Sequence, residues 1–383
     1  MVVMGCRLWV MGCGLWVVGC RLWVVGKLPL FAHITHNQKP TTNNRQPTTK
    51  NQKPKTVNQK PTTNNPQPTT NNQRMIIGLG ETILDIIFKD DKPSAAVPGG
   101  STYNAIISLG RTGVPATIVT ETGSDHVGDI IVNYLTDNGV STEYVNRRQD
   151  SKSHISLAFL NDRNDACYEF YKDHAHARIE RRFPDITADD VLLFGSFFAV
   201  NPVLRDVVKP FIEKAHKAGA FIYYDINFRK SHIEDIPLIM DNINENMQFS
   251  TVVRGSLEDF IYLYGTDDVD EIYEKHISPF CPCFICTDGS KPLHLFTPSL
   301  HATYPTAPVK TVSTIGAGDN FNAGFIYGLH RKGHIDAKDF VSLKEEEWRD
   351  MIRYGQAFSS HVCTSISNSI SREFAAEMGD LVD

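Results

Sequence analysis

The first 74 residues of this 383-residue chain contain no aspartate or glutamate, yet they hold ten of its 38 Lys and Arg. The remainder therefore sets 28 basic residues against 44 acidic ones, a formal charge of −16 where the whole chain shows −6. An acidic body excludes the basic footprint of a nucleic-acid binder. Cysteine is sparse as well. Three of the eight, Cys6, Cys13 and Cys20, fall in a repeat, and the rest offer no disulfide framework, which points to the cytoplasm. Cys281, Cys283 and Cys286 cluster as Cys-Pro-Cys-Phe-Ile-Cys, but a second ligand pair for a metal is missing and Phe284–Thr287 reads as a buried strand, so they are read as core thiols. No membrane span is expected either, because the apolar run near the N-terminus carries Arg7 and Arg21 and has no small-residue cleavage site.

That run is repetitive: residues 1–26 recur with a period of seven, as Met4-Gly-Cys-Arg-Leu-Trp-Val and two close copies. Residues 37–73 repeat too, as Asn-Gln-Lys-Pro-Thr-Thr-Asn and variants, polar, Pro-rich and without large apolar side chains. Residues 1–74 are therefore expected to be a disordered or mistranslated extension, with Met75 the initiator and 75–383 the folded domain.

From Met75 onward, apolar strand-like runs alternate with amphipathic stretches, the pattern of a mostly parallel sheet covered by helices. Strands are expected at Met75–Gly80, Ala116–Thr122, Val191–Phe194, Phe221–Asp225, Thr251–Arg254, Phe284–Thr287 and Leu293–Phe296. Helices are expected at Ser101–Gly110, Gly128–Asn138, Pro202–Ala218, Gly318–Leu329 and Glu346–Cys363. Two stretches, Ile83–Val97 and His154–Tyr171, alternate with period two and are expected to form a small separate sheet over a substrate cleft.

The chemistry concentrates at Thr311-Val-Ser313-Thr-Ile-Gly316-Ala317-Gly318-Asp319-Asn-Phe321. Gly316, Ala317 and Gly318 have almost no side-chain bulk, so their amides can approach an anion at the start of the following apolar helix. A carboxylate there would repel a phosphate, so Asp319 suits a base that takes the proton of an attacking hydroxyl. The plainer reading is a glycine turn with a capping Asp. Four further motifs stand in order before this loop: Gly80-Glu81-x-x-x-Asp85, Pro98-Gly99-Gly100-Ser101-x-x-Asn104-Ala105, Thr122-Gly-Ser-Asp125-x-x-Gly128 and Asp225-x-Asn227-x-Arg229. Asp85 can accept from vicinal hydroxyls, Gly99 and Gly100 admit a ligand close to the backbone, and Asn104 can donate and accept. Arg229 could meet phosphates with its planar fork. A dinucleotide-dependent oxidoreductase is disfavoured, since Gly78-Leu-Gly80-Glu-Thr-Ile83 lacks the third glycine of that fingerprint.

Together, in this order, the five motifs resemble the PfkB, or ribokinase-like, family of carbohydrate kinases over essentially all of residues 75–383. The resemblance implies a three-layer, Rossmann-like α/β fold with a small β-sheet lid. It also implies transfer of the γ-phosphoryl group of ATP to a sugar hydroxyl, with Asp319 as base and the Gly316–Gly318 amides as anion hole. By position, Asp85, Gly99, Gly100 and Asn104 would bind the sugar, and Asn227, Arg229, Ser256, Thr287 and Gly289 the nucleotide. The family's Asn-x-x-Glu motif, linked to Mg²⁺, aligns with Ser256 and Asp259, with Glu258 the competing choice; Mg²⁺ would arrive with ATP. Ser313 stands where the family usually has Asp, a contributor to the ion site in potassium-activated members, so dependence on a monovalent cation stays open. The lid-like stretch from Ser156 to Lys172 is similar to that of fructokinases, which favours fructose or a related sugar. A nucleoside (adenosine-like) kinase, a 2-keto-3-deoxygluconate kinase and a non-catalytic sugar-binding pseudokinase are the alternatives. A homodimer paired through the lid is the implied partner state.

Overall fold

The computed structural model describes residues 74–160, 166–172 and 182–378. The repeats before residue 74, and residues 161–165 within the expected lid stretch, lie outside them. In chain order come strands β1 (Ile76–Leu79), β2 (Ile83–Lys89) and β3 (Lys92–Gly99), helix α1 (Ser101–Arg111), β4 (Ala116–Gly123), α2 (His126–Asp137), β5 (Val145–Arg148), β6 (Ile155–Leu160) and β7 (Ala166–Tyr171). There follow β8 (Val191–Gly195), α3 (Ser196–Val200), α4 (Arg205–Ala218), β9 (Phe221–Asp225), α5 (Ile236–Phe249), β10 (Val252–Ser256), α6 (Leu257–Tyr264) and α7 (Val269–Ile272). The chain continues through β11 (Phe284–Asp288), β12 (Lys291–Thr297), β13 (Leu300–Tyr304), α8 (Ala317–Arg331), α9 (Glu345–Cys363) and α10 (Arg372–Glu377).

The large sheet has the order β13-β12-β11-β10-β9-β8-β1-β4-β5, parallel from β5 to β11, with β12 and β13 antiparallel at one edge. Side chains on opposite faces of β1 feed two different cores. Ile76 packs with α1, α8 and α9 residues, whereas Ile77 and Leu79 join residues of α4, α5 and α6, giving three layers. From β1 the order runs outward both ways, through β4 on one side and β8 on the other. That reversal opens a crevice at the carboxyl ends of the strands, where such sheets bind ligands.

The small sheet has the order β3-β2-β6-β7, as the period-two reading of its two stretches anticipated. Asp90 and Asp91, at φ 51° and 58°, make the two-residue turn between β2 and β3. β2 and β6 run parallel, which sets Asp85 opposite Ser156.

Several elements escape a reading of pattern alone. α5 is rich in Asn and acids, yet Ile239, Ile243 and Met247, four residues apart, are fully buried and hold it to the sheet by packing. The helix expected from Pro202 starts at Arg205, because Asn201 Oδ1 accepts from the Val203 amide and ties the preceding residues into a turn. The thiols of Cys281 and Cys286 are buried, which pushes them up to about 12, as befits core residues.

Candidate active site

Gly316 caps α8 with φ 77°, a left-handed conformation that glycine adopts without strain. The residue is also sterically required: a Cβ there would lie 2.9 Å from the Asn368 carbonyl oxygen. The Ala317 amide folds back onto Thr314 O at 3.2 Å. Among the described residues, the amides of Gly318 and Asp319 donate to no protein group, leaving two orphan donors at the positive end of a fifteen-residue helix. Close helix packing backs them. A Cβ on Gly324 would sit 2.2 Å from Tyr354 O, so α8 and α9 touch backbone to backbone.

Asp319 stands in the first turn of α8 and is only 9% exposed. Asn104, one turn into α1, donates to its Oδ2 at 2.9 Å, and Ser101 also bonds to it. Burial is the main cause that raises its pKa to about 6, with the Asp225 charge adding to the rise and the Arg229 charge opposing it. A carboxylate so held is poised to accept a proton near neutral pH.

Asp85 lies on β2 opposite Val97, two positions along the antiparallel β2–β3 pair from Gly99 at the entry to α1. Ser156 donates to its Oδ1, and burial lifts its pKa above the ordinary range despite that bond. A Cβ on Gly99 would sit 2.7 Å from Asp85 Oδ2, so the bare backbone leaves that face of the carboxylate open. Gly100 has φ 124° and passes so near Glu81 O that any side chain would clash at 2.4 Å. Asp85, Gly99, Gly100 and Asn104 thus gather at one end of α1, and the Asn104 bond joins them to Asp319.

The expected nucleotide residues are disposed differently from one another. Asn227 (φ 38°) and Ser196 (φ 57°) are neighbouring left-handed residues just beyond β9 and β8, and Asn227 Nδ2 donates to Ser196 Oγ at 2.8 Å. Arg229 is exposed, with its charge within range of Asp319. Thr287 turns its hydroxyl inward, to Arg254 Nη2 at 2.7 Å, while Gly289, φ 54°, forms the open turn between β11 and β12. Ser256 and Asp259 form the capping box of α6: the Ser256 amide donates to Asp259 Oδ2 at 2.7 Å, and the Asp259 amide to Ser256 Oγ at 3.2 Å. Burial raises Asp259 to about 6. A carboxylate used this way makes a poor metal ligand, and among the described residues no group of three His, Cys, Asp or Glu could hold an ion.

Three further residues lie against the site: Arg254 and Asn368, which stand in none of the five motifs, and Glu81, which stands in the first of them without an expected role. Arg254 is buried beneath the Gly316–Gly318 loop, bonded to Asp225 Oδ1 at 3.0 Å, with Phe321 beside it and Nη1 2.9 Å from where a Gly318 Cβ would be. Asp225 is filled on its other oxygen by Asn322 at 2.8 Å. Its sequence signal was a lone arginine in the apolar run Val252-Val253-Arg254. Glu81 bonds His154 Nδ1 at 3.0 Å and Lys172 Nζ at 2.8 Å, joining the β1–β2 connection to the small sheet. Although burial would raise Glu81, these partners bring it down to about 2. The third, Asn368, lies in the loop after α9.

The pfkB family carbohydrate kinase profile matches residues 74–374. A fructokinase of Rhizobium leguminosarum bv. trifolii is 26% identical over 285 residues, 72% of this chain and 86% of that protein. Probable fructokinase-4 of Arabidopsis thaliana is 28% identical over 265 residues, 64% of this chain and 79% of its own length. Among solved structures, the fructokinase of Xylella fastidiosa with bound ATP superposes with a TM-score of 0.68 at 19% identity, covering 80% of this chain and 98% of that one. The aminoimidazole riboside kinase of Salmonella enterica gives 0.69 at 17%, covering 81% and 100%. The chain therefore belongs to the pfkB family of carbohydrate kinases and is an ATP-dependent sugar kinase.

Proposed function

We propose that the enzyme phosphorylates a hydroxyl of fructose or a closely related sugar, with Asp319 as general base and the loop Gly316–Gly318, continued by the Asp319 amide, as anion hole. The observation that carries this reading is the buried Asp319 carboxylate at the start of α8, held by Asn104 on one oxygen and set beside amides without protein partners. Asn104 and Ser101 fix the carboxylate's orientation, and the carboxylate receives the hydroxyl proton. The free amides offer hydrogen bonds that strengthen as charge develops on the transferred phosphoryl oxygens. Asp85 and the open backbone at Gly99 hold the sugar, with Asn227 and Arg229 at the phosphate side. Mg²⁺ would enter on the phosphates of ATP rather than in a protein cage. The fructokinase names of the curated relatives support a ketose acceptor.

An ADP-release assay across fructose, other hexoses, ribose, 2-keto-3-deoxygluconate and adenosine tests the acceptor. Fructose is expected to give the highest kcat/KM. Turnover of adenosine alone, or of nothing despite sugar binding by calorimetry, overturns the reading. Its pH dependence has a definite sign. The base works only when ionised, so kcat/KM should hold above pH about 6 and fall roughly tenfold per unit below it. A profile flat down to pH 5 would remove Asp319 from the role. We also propose that the apolar small sheet pairs two copies of the enzyme.

A further inference from the structure

The loop after α9 reaches the sugar side of the site. Asn368 is 6% exposed, its side-chain amide makes no hydrogen bond to protein among the described residues, and it is not one of the fully buried unpaired groups, so its polar end meets solvent. Its direction is fixed by what it nearly touches. A Cβ on Gly99 would lie 3.4 Å from Asn368 Nδ2 and 2.7 Å from Asp85 Oδ2, so both side chains converge on the point above that glycine.

The backbone around Asn368 is pinned by both helices that carry the site. Asn320 Nδ2, from α8, donates to Asn368 O at 2.8 Å. From α1, Asn104 O accepts from Ser369 Oγ at 3.3 Å, and Ser108 Oγ accepts from the Ile370 amide at 3.2 Å. The side chain is therefore placed by its surroundings while its own polar atoms remain uncommitted. Such an arrangement is preorganised for a ligand.

We propose that Asn368 is a further substrate-binding residue, its carboxamide and the Asp85 carboxylate together gripping neighbouring hydroxyls of the acceptor sugar. The two groups are chemically complementary. Asp85 can only accept, whereas the carboxamide donates and accepts, so the pair reads two adjacent hydroxyls and discriminates against an acceptor that lacks one. The assignment rests on the sugar-kinase reading of the same cleft.

The test compares wild type, Asn368→Ala and the isosteric Asn368→Asp in the sugar-panel assay, with thermal melting of each. Asn368→Ala should raise KM for the preferred sugar about tenfold, with kcat within threefold and KM for ATP unchanged. Its Tm should stay within a few degrees, because no protein partner is lost. If Asn368→Ala melts early, Asn368→Asp decides: a second carboxylate facing Asp85 should raise the sugar KM at least as much. An unchanged sugar KM in a folded variant, with sugar turnover by wild type, overturns this assignment alone. Wild-type turnover of adenosine alone overturns the functional reading and this assignment with it.

Discussion

Asp319→Asn should lower kcat by about 10²–10⁴-fold while leaving the dissociation constants of sugar and ATP within a fewfold of wild type. The asparagine keeps the shape of the side chain and can still meet Asn104, so the loss isolates proton transfer. Stability should move the other way. Burial holds the Asp319 pKa near 6, above its ordinary 3.8, so the fold binds that proton more tightly than the unfolded chain does. The protonated form therefore favours folding below pH about 4, and that advantage is lost as pH rises through about 6. At neutral pH the ionised base costs the fold stability, and Asp319→Asn should melt at or above the wild-type temperature. Activity within threefold of wild type would exclude the general-base role; a much lower Tm would show that the ionised carboxylate supports the fold instead.

Arg254→Met should be the most destabilising single change near the site. The Arg254 and Asp225 side chains are 7% and 3% exposed, and removing one partner strands the other charge in a dry interior at about 3–5 kcal/mol. Asn322 would still bond Asp225, but an amide cannot neutralise it. The double variant Arg254→Met, Asp225→Asn should recover much of the loss, since no unpaired charge remains. Any Arg254→Met enzyme that folds should show its acid limb moved to higher pH, because an uncompensated Asp225 raises Asp319 further. Arg254 thus acts by positioning: it holds Asp225 and Thr287 and underlies Gly318, without reaching the substrate cleft. Equal melting temperatures for the single and double variants would overturn this account.

The layered fold and the small sheet were legible because their apolar residues follow the periods of strand and helix over much of the chain from Met75 onward. The loop at Gly316–Asp319 was legible because few other arrangements need three small residues before a carboxylate and a helix. Arg254 was not, since pattern reads a charged residue in an apolar strand as a defect. Only the parallel register of β9 and β10, which pairs Asp225 with Arg254, gives it a partner. Ser256 and Asp259 have a physical explanation that spacing alone leaves open, because Ser-x-x-Asp is equally a capping box. Asn368 carries no motif at all. The role proposed for it depends on a loop brought back over α1, where the Ser369–Asn104 bond spans 265 residues, a distance invisible to local pattern.

The Asn104–Asp319 hydrogen bond spans 215 residues. On a ribosome adding about 5–20 residues per second, the end of α1 that carries Asn104 would emerge on the order of 10–40 s before Asp319, the base proposed for it. Much of the sheet can pair in that interval, but the phosphoryl-transfer centre closes only when α8 docks. Truncation before α8 would leave a chain able to build half a cleft and unable to turn over, and a nascent enzyme would spend no ATP until its last quarter had folded.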